Sequence, residues 1–286
     1  MPPVREQAIA VNITSGHSWM ASEAMAKDLL YVVDVPAGAV DVFAYPGGTR
    51  VGRITGFELP EGACVNARGD VFVTDEELQE IFEYPHGGVK PIKVLREPRA
   101  WPIDCAIDSS TNNLAVANFS STQHHHSLAG DIMIYSDARG EPKTYSNPDL
   151  FAPLFCSYDG DGNLFITGRD FSFGFIYGEL LNRTHKFKKI RLKGFHGDGI
   201  EWDGRYVAMS VGGGRIDRLS GARLVGFTLL KGSSGGGKPW IGAGAIVLAG
   251  LSNNIRFWRY PRGGKSTGGV TGFDQPYGAV VSIAKR

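Results

Sequence analysis

The sequence has few cysteines, almost no excess charge and no long apolar run, and each shortage excludes a class of protein. Only three of 286 residues are cysteine, which is too few for a small disulfide-stapled scaffold. Thirty basic and twenty-nine acidic residues give a net charge of +1, too little to attract nucleic acid or anionic lipid. No apolar run reaches the length of a membrane span. We therefore expect no nucleic-acid partner and no membrane-spanning segment.

Signatures of familiar catalytic sites are also missing. No Gly-x-Ser-x-Gly nucleophile motif occurs, and spacing places no serine, histidine and acid together. The glycine-rich stretches 212–214 and 235–238 lack the strand-to-helix context and the Ser or Thr of a phosphate-binding loop, so we interpret them as turns. The sequence leaves catalysis open and favours a protein that is not an enzyme.

What the sequence does contain is a repeat of about forty residues. A short apolar strand starts at residues 30, 71, 114, 164, 206 and 246, at intervals of 41, 43, 50, 42 and 40 residues. The next strand of the repeat is rich in aromatic and β-branched residues, and three copies end in a Tyr-Pro turn with two glycines. This period with short apolar strands is typical of β-propeller blades. Thirty-nine glycines and fifteen prolines suit the many turns of such a fold.

A last type of strand occurs six times, and its sixth copy, Tyr277 to Ala284, lies at the C-terminal end. The first repeat begins at Leu29 without a copy of it. We therefore predict that the C-terminal strand pairs with the N-terminal strands and closes the ring. The fold class is all-β: residues 29–286 form one six-bladed β-propeller with four-stranded antiparallel blades. Residues 1–28 are expected to be an N-terminal arm or what remains of a trimmed leader.

The three cysteines lie in copies of this last strand type. Cys105 and Cys156 each come three residues before a turn aspartate, whereas Cys64 is out of that phase. Buried free thiols are the favoured state for such small, apolar-like residues. A Cys105–Cys156 disulfide is the alternative in an oxidising compartment.

Strand pairs such as residues 60–75 and 159–166 resemble those of NHL-type and gluconolactonase-like six-bladed β-propellers. Residues 254–264 and 272–282 are similar to a group of uncharacterised bacterial propeller proteins that are often exported. The resemblance implies a secreted or periplasmic protein, with a cytoplasmic one as the alternative. It also implies that the C-terminal strand type is innermost and that ligands bind around the central funnel, on the face where the inner strands begin. The wider class contains lactonases, lyases, peptide-binding modules and scaffolds, so it does not specify one function.

Gluconolactonase-like enzymes hold one divalent cation in this funnel through a glutamate, an asparagine and an aspartate. Glu61 and Asp198 match two of these positions, the asparagine is missing, and Asp104 is displaced by one residue and should point elsewhere. We therefore expect no cofactor, and the alternative function is a calcium- or zinc-dependent, lactonase-like hydrolase. The paired histidine and glutamate of a streptogramin-cleaving lyase are also missing.

The longest insertion, residues 119–130, adds a histidine-rich loop to the third repeat. His124 and His126 fall on one side of an extended chain and are candidate zinc, copper or nickel ligands, while a plain polar loop is the alternative. The next repeat places charged and aromatic residues at the same loop position. Together with two aromatic residues at strand heads and one strand asparagine, they form the predicted ligand site: Arg169, Asp170, Phe171, Phe173, Trp240, Tyr277 and Asn118.

Aromatic rings with a few charged groups are typical of a site for a small molecule, a peptide or a protein, although packing under a loop would also explain them. The sequence thus favours a monomeric, non-catalytic binding scaffold that uses the funnel face.

Overall fold

The structure, a computed structural model, describes residues 16–121, 129–192, 197–233, 236–250 and 253–285. Within these ranges the two helices are single 3-10 turns, Ala24–Ala26 and Ser136–Ala138, and the remaining regular structure is β-strand. No helix in this part of the chain is long and apolar enough to cross a bilayer. The strands form six sheets that are the blades of a β-propeller, which confirms the predicted fold class.

Each blade contains four antiparallel strands, which we call inner, second, third and outer in order from the axis. In that strand order, blade 1 consists of Pro276–Ser282, Leu29–Asp34, Ala39–Ala44 and Thr49–Thr55. Blade 2 consists of Pro60–Val65, Val71–Asp75, Glu80–Tyr84 and Lys93–Arg96. Blade 3 consists of Ala100–Ile107, Leu114–Ser121, Asp131–Tyr135 and Lys143–Tyr145. Blade 4 consists of Ala152–Tyr158, Leu164–Arg169, Phe175–Leu180 and Phe187–Lys189. Blade 5 consists of Ile200–Trp202, Val207–Ser210, Arg215–Ser220 and Arg223–Lys231. Blade 6 consists of Trp240–Gly242, Ala245–Gly250, Asn254–Arg259 and Gly268–Thr271.

Two short strands extend this pattern at blade edges. Trp19–Met20 pairs antiparallel with the outer strand of blade 1, and Gly264–Lys265 pairs in parallel with the outer strand of blade 5. Ala24, in the first 3-10 turn, is fully buried in the hydrophobic core of blades 1 and 2. The part of the N-terminal segment that the structure describes therefore packs on the propeller.

The ring closes in the predicted way. The inner strand of blade 1 comes from the C-terminal end and pairs with the second strand, with Leu29 opposite Ser282 and Asp34 opposite Pro276. The Asp34 carboxylate accepts hydrogen bonds from the backbone N–H groups of Asp274 and Gln275. Closure therefore rests on a strand pair and on a buried carboxylate that fixes the chain entering it.

The repeated apolar strands are the second strands, and packing between blades explains their composition. All residues of Leu29–Asp34 and of Val71–Asp75 are buried, because a second strand is covered by a neighbouring blade on each face. Such strands appear in the sequence as continuous apolar runs instead of an apolar–polar alternation. At the contact of blades 1 and 6, Leu30 and Phe43 pack with Val247 and Phe257.

The prediction of buried free thiols was wrong for two of the three cysteines and confirmed for Cys156. The structure contains a Cys64–Cys105 disulfide, with 5.6 Å between the Cα atoms, and Cys156 is a buried free thiol. Cys105 and Cys156 occupy the same phase of their inner strands, so both side chains point to the same side of a blade. Cys64 is one residue out of that phase and points to the opposite side, because successive strand residues alternate. Cys64 and Cys105 therefore face each other across the contact of blades 2 and 3.

Candidate functional site

The site lies at the end of the propeller where the inner strands begin, which we call the entrance face. Four inner strands carry a β-bulge near this end, as the register with their second strands shows, at Glu61–Gly62, Ile103, Leu154 and Tyr277–Gly278. A β-bulge bends the strand and redirects a side chain. The bulge therefore gives Glu61 and Tyr277 equivalent places at the mouth of the central funnel.

Tyr277 lies at the funnel mouth, within electrostatic reach of several acidic groups. Its ring is partly buried and stacks on Phe155, with 6.0 Å between the centroids. Burial raises the pKa of Tyr277, and the carboxylates of Glu61, Asp104 and Asp198 raise it further. The structure thus brings together three predicted site residues, Glu61, Asp198 and Tyr277, which are far apart in the sequence.

Glu61 carries a carboxyl group without a partner at the funnel mouth. Burial raises its pKa from 4.5 to about 8, and the neighbouring carboxylates of Glu76 and Asp75 add to the rise. Asp75 is used by the fold, since it accepts hydrogen bonds from the backbone N–H groups of Glu58, Leu59 and Leu78. By contrast, the side chains of Glu61 and Glu76 have no hydrogen-bond or ion-pair partner among the described residues. These two carboxylates are therefore available to a ligand.

Asp198, the other predicted metal ligand, is already neutralised by a basic side chain. The Arg169 guanidinium lies 2.9 Å from the Asp198 carboxylate and stacks on the Phe175 ring, 3.8 Å from its centroid. A cation at Asp198 would be repelled by the neighbouring Arg169 guanidinium. Within the described ranges, no three His, Cys, Asp or Glu side chains converge as a metal-binding group.

Lys238 occupies the central channel below the funnel, a role that the sequence did not suggest. Its ammonium donates hydrogen bonds to the Asp104 carboxylate at 3.0 Å and to the backbone carbonyls of Cys105 and Cys156 at 2.6 and 2.8 Å. Burial alone would lower the pKa of Lys238, but the carboxylates of Asp104 and Glu201 outweigh it and raise the pKa. Lys238 is therefore a charged group with its donors satisfied, and it is not a nucleophile.

Asp104, which was expected to point away from the cation site, points into the channel and is fixed there. Besides Lys238, it binds the backbone N–H of Cys156 at 2.9 Å. The cavity that remains beside this ion pair has a volume of about 100 Å³, and Glu201, Trp240 and Tyr277 contribute to its lining. That volume holds about three water molecules, whereas sites for small organic ligands measure roughly 300–1,000 Å³. A larger ligand therefore does not fit in this cavity.

Exposed aromatic side chains lie on this face in blade 4. Phe171 and Phe173 are 61% and 71% exposed, and both pack on Phe151, with centroid distances of 4.8 and 5.9 Å. The Asp170 carboxylate accepts hydrogen bonds from the backbone N–H groups of Ser172 and Gly174. Asp170 therefore shapes the turn that presents the two rings, as aspartate often does at turns.

Blade 3 adds two exposed rings that the sequence analysis missed. Trp101 and Phe119 are 41% and 37% exposed at the same end of the propeller. They were missed because each lies within a strand whose other residues are mostly buried. Gly130 packs against the backbone carbonyl of Phe119 and donates a hydrogen bond to the carbonyl of Phe151, so the two blades meet here. We call the four exposed residues Trp101, Phe119, Phe171 and Phe173 the aromatic patch.

The remaining predicted residues fall in different places. Trp240 is partly buried and packs edge-to-face on Tyr45 with 6.1 Å between centroids, so it forms a wall of the funnel. Asn118 is fully buried inside blade 3 and donates a hydrogen bond to Asp131, so it does not reach the surface. His124 and His126 lie outside the described residues.

Comparison with known proteins supports the architecture and leaves the function open. No protein-family model and no curated protein sequence matches the chain. Among solved structures, that of a nidogen/laminin complex has a TM-score of 0.72 at 12% identity, covering 91% of this chain and 100% of the matched chain. A protein of unknown function from Bacteroides caccae has a TM-score of 0.67 at 10% identity, with the same coverage. At this identity the likeness shows the β-propeller fold alone.

Proposed function

We propose that the chain is a non-catalytic binding propeller that recognises a peptide or protein on its entrance face. The aromatic patch carries this proposal, because it gathers four exposed rings on two neighbouring blades at one end of the molecule. Exposed aromatic residues are enriched in interfaces, and grouped apolar side chains mark interaction sites more often than scattered ones do.

The channel supports surface binding over binding in the interior. Lys238 and Asp104 fill the axis, and the cavity of about 100 Å³ is too small for most organic substrates. The nidogen/laminin structure is a protein complex that contains a similar propeller, which is compatible with protein binding by this fold.

A metal-dependent hydrolase is the second candidate, because Glu61 and Asp198 both lie at the funnel. It requires a cation, and the Arg169 guanidinium bound to Asp198 opposes one. Metal analysis of the purified protein and melting with EDTA, calcium or zinc separate the two functions, since a specific ligand stabilises the native state. A bound metal whose stabilising effect disappears in Glu61→Gln would favour the hydrolase.

An exported location is part of the proposal. It is supported by the Cys64–Cys105 disulfide, because disulfides persist in oxidising compartments and are rare in the cytosol. Alkylation of the denatured, unreduced protein purified from its own cells should modify Cys156 alone. Modification of all three cysteines would favour the cytoplasmic alternative.

Selection from a displayed peptide library tests the binding function. We expect enriched peptides to lose at least about tenfold in affinity for a Phe171→Ser/Phe173→Ser variant, since buried aromatic anchors dominate such interfaces. The matched control is Phe227→Ser/Leu229→Ser, which removes two residues that are 50% and 52% exposed on the outer strand of blade 5. Absence of any binder, or binders that are equally sensitive to both variants, would refute the proposal.

A further inference from the structure

We propose that the aromatic patch docks a basic polypeptide, which places a lysine or arginine side chain over Glu61 and Glu76. This inference rests on the proposed function and specifies the chemistry of the partner.

Acidic side chains on the entrance face indicate that the partner is basic. Blade 2 presents four glutamates there, all without an ion-pair partner in the described part of the chain: Glu58, Glu61, Glu76 and Glu77. The third strand of the same blade differs, because Glu80 and Glu83 are paired with Arg96 and Lys93. The unpaired glutamates of blade 2 thus lie at its entrance end, where a cationic partner would be attracted and oriented.

The glutamates and the aromatic patch lie on neighbouring blades whose inner strands are in close contact. Gly62, next to Glu61, packs so tightly on blade 3 that an added Cβ would lie 2.6 Å from the Ile103 carbonyl oxygen and 2.7 Å from the Asp104 Cα. Trp101 of the patch lies only two residues before Ile103. A bound segment that crosses from blade 2 to blade 3 therefore passes from carboxylates to aromatic rings.

The funnel mouth suits a long basic side chain. Tyr277 is held close to Glu61, because an added Cβ on the next residue, Gly278, would lie 2.7 Å from the Glu61 carbonyl oxygen. An alkyl stem can pack on the partly buried Tyr277 ring while the charged head reaches the glutamate side chains. Because burial raises the pKa of Glu61 to about 8, the free protein keeps this carboxyl group protonated at neutral pH. A basic side chain that binds here would lower that pKa and release the proton, which leaves an ion pair.

An organic cation fits these residues better than a metal ion does. The Asp75 carboxylate is occupied by hydrogen bonds from backbone N–H groups. Of these three neighbouring acids, Glu61 and Glu76 are therefore the two that can contact a bound cation. Two carboxylates suffice for an ammonium or a bidentate guanidinium, whereas calcium takes about six to eight oxygen ligands.

The library selection described above tests the inference through the sequences that it enriches. Patch-dependent binders should carry Lys or Arg at a fixed position. One such peptide is then synthesised with the basic residue, with norleucine and with glutamate at that position. A Glu61→Gln/Glu76→Gln variant should bind the basic peptide at least about tenfold more weakly and leave norleucine-peptide binding unchanged, which isolates the pairwise interaction. The control is Glu141→Gln, an exposed glutamate in a loop at the opposite end of blade 3.

The other possible results of this experiment would each contradict either the basic partner or the proposed function. Patch-dependent binders without an enriched basic residue, or unchanged affinity in the double glutamine variant, would refute the basic partner and leave the proposed function intact. Binders that ignore the patch would refute the proposed function itself. If calcium stabilises the protein, competes with the peptide and loses both effects in the double variant, the cation is a metal and the inference is wrong. Melting curves of each variant verify that it is folded.

Discussion

Glu61→Gln should stabilise the protein at alkaline pH and leave its stability unchanged at acidic pH. The pKa of Glu61 is raised from 4.5 to about 8 in the folded chain, with burial as the first cause and the Glu76 and Asp75 carboxylates as the next. Between these values the folded state keeps a proton that the unfolded state has released. The stability contributed by this group is therefore complete below about pH 4.5 and is lost as pH rises towards 8.

The size of the effect follows from the same values. Each tenfold change in proton affinity corresponds to about 1.4 kcal/mol, so the rise from 4.5 to about 8 sets a ceiling of about 5 kcal/mol above pH 8. Glutamine keeps the shape of the protonated acid and does not ionise. The free energy of unfolding of Glu61→Gln should thus match that of the wild type at pH 4 and exceed it by about 2–5 kcal/mol at pH 9.

Urea unfolding followed by tryptophan fluorescence at several pH values between 4 and 9 measures this difference. Other buried acids, such as Glu97 and Glu201, also have raised pKa values, but their contribution is common to both proteins and cancels. Glu141→Gln, far from the funnel, should show no growing difference. A stability difference for Glu61→Gln that is constant with pH, or negative at pH 9, would refute the view that a poorly solvated carboxylate stands at the funnel mouth.

Further predictions concern the channel and the cysteines. Lys238→Met should lower the free energy of unfolding by about 3–5 kcal/mol, because it leaves the Asp104 carboxylate buried and unpaired, and Lys238→Met/Asp104→Asn should recover part of the loss in the same assay. Reduction of the Cys64–Cys105 disulfide, which closes a loop with a sequence separation of 41, should cost about 4 kcal/mol in urea unfolding. Thiol titration of the denatured, unreduced protein should detect one thiol, that of Cys156.

The repeat allowed the architecture to be predicted because its information is local. Each blade shows its own apolar strand, turn and strand-head residues, so six copies specify the blade number and the unmatched terminal strands specify closure. The same phase argument placed Glu61, Asp198 and Tyr277 together at the funnel, since residues at equivalent positions of a repeat meet around one axis.

Contacts that break the repeat could not be predicted in this way. Lys238 reaches Asp104 across 134 residues, and nothing in a glycine-rich turn indicates a side chain that enters the channel. The exposure of Trp101 and Phe119 depends on where neighbouring blades end, which is a property of packing. Asn118 is a polar residue that follows an apolar run, but the hydrogen bond to Asp131 holds it inside blade 3.

A one-residue difference in strand phase explains which cysteines form the disulfide. It also explains why Asp104 points into the channel while Glu61 stays at the funnel mouth. Cys64, out of phase with Cys105, faces it and joins two blades, whereas the in-phase Cys156 stays free. Asp104, one residue past the position held by Glu61, turns into the channel and binds Lys238. The axis is thereby neutralised by a cation that belongs to the chain and cannot dissociate. Above it, the side chains of Glu61 and Glu76 have no hydrogen-bond or ion-pair partner among the described residues, and an external cation would have most to contribute there.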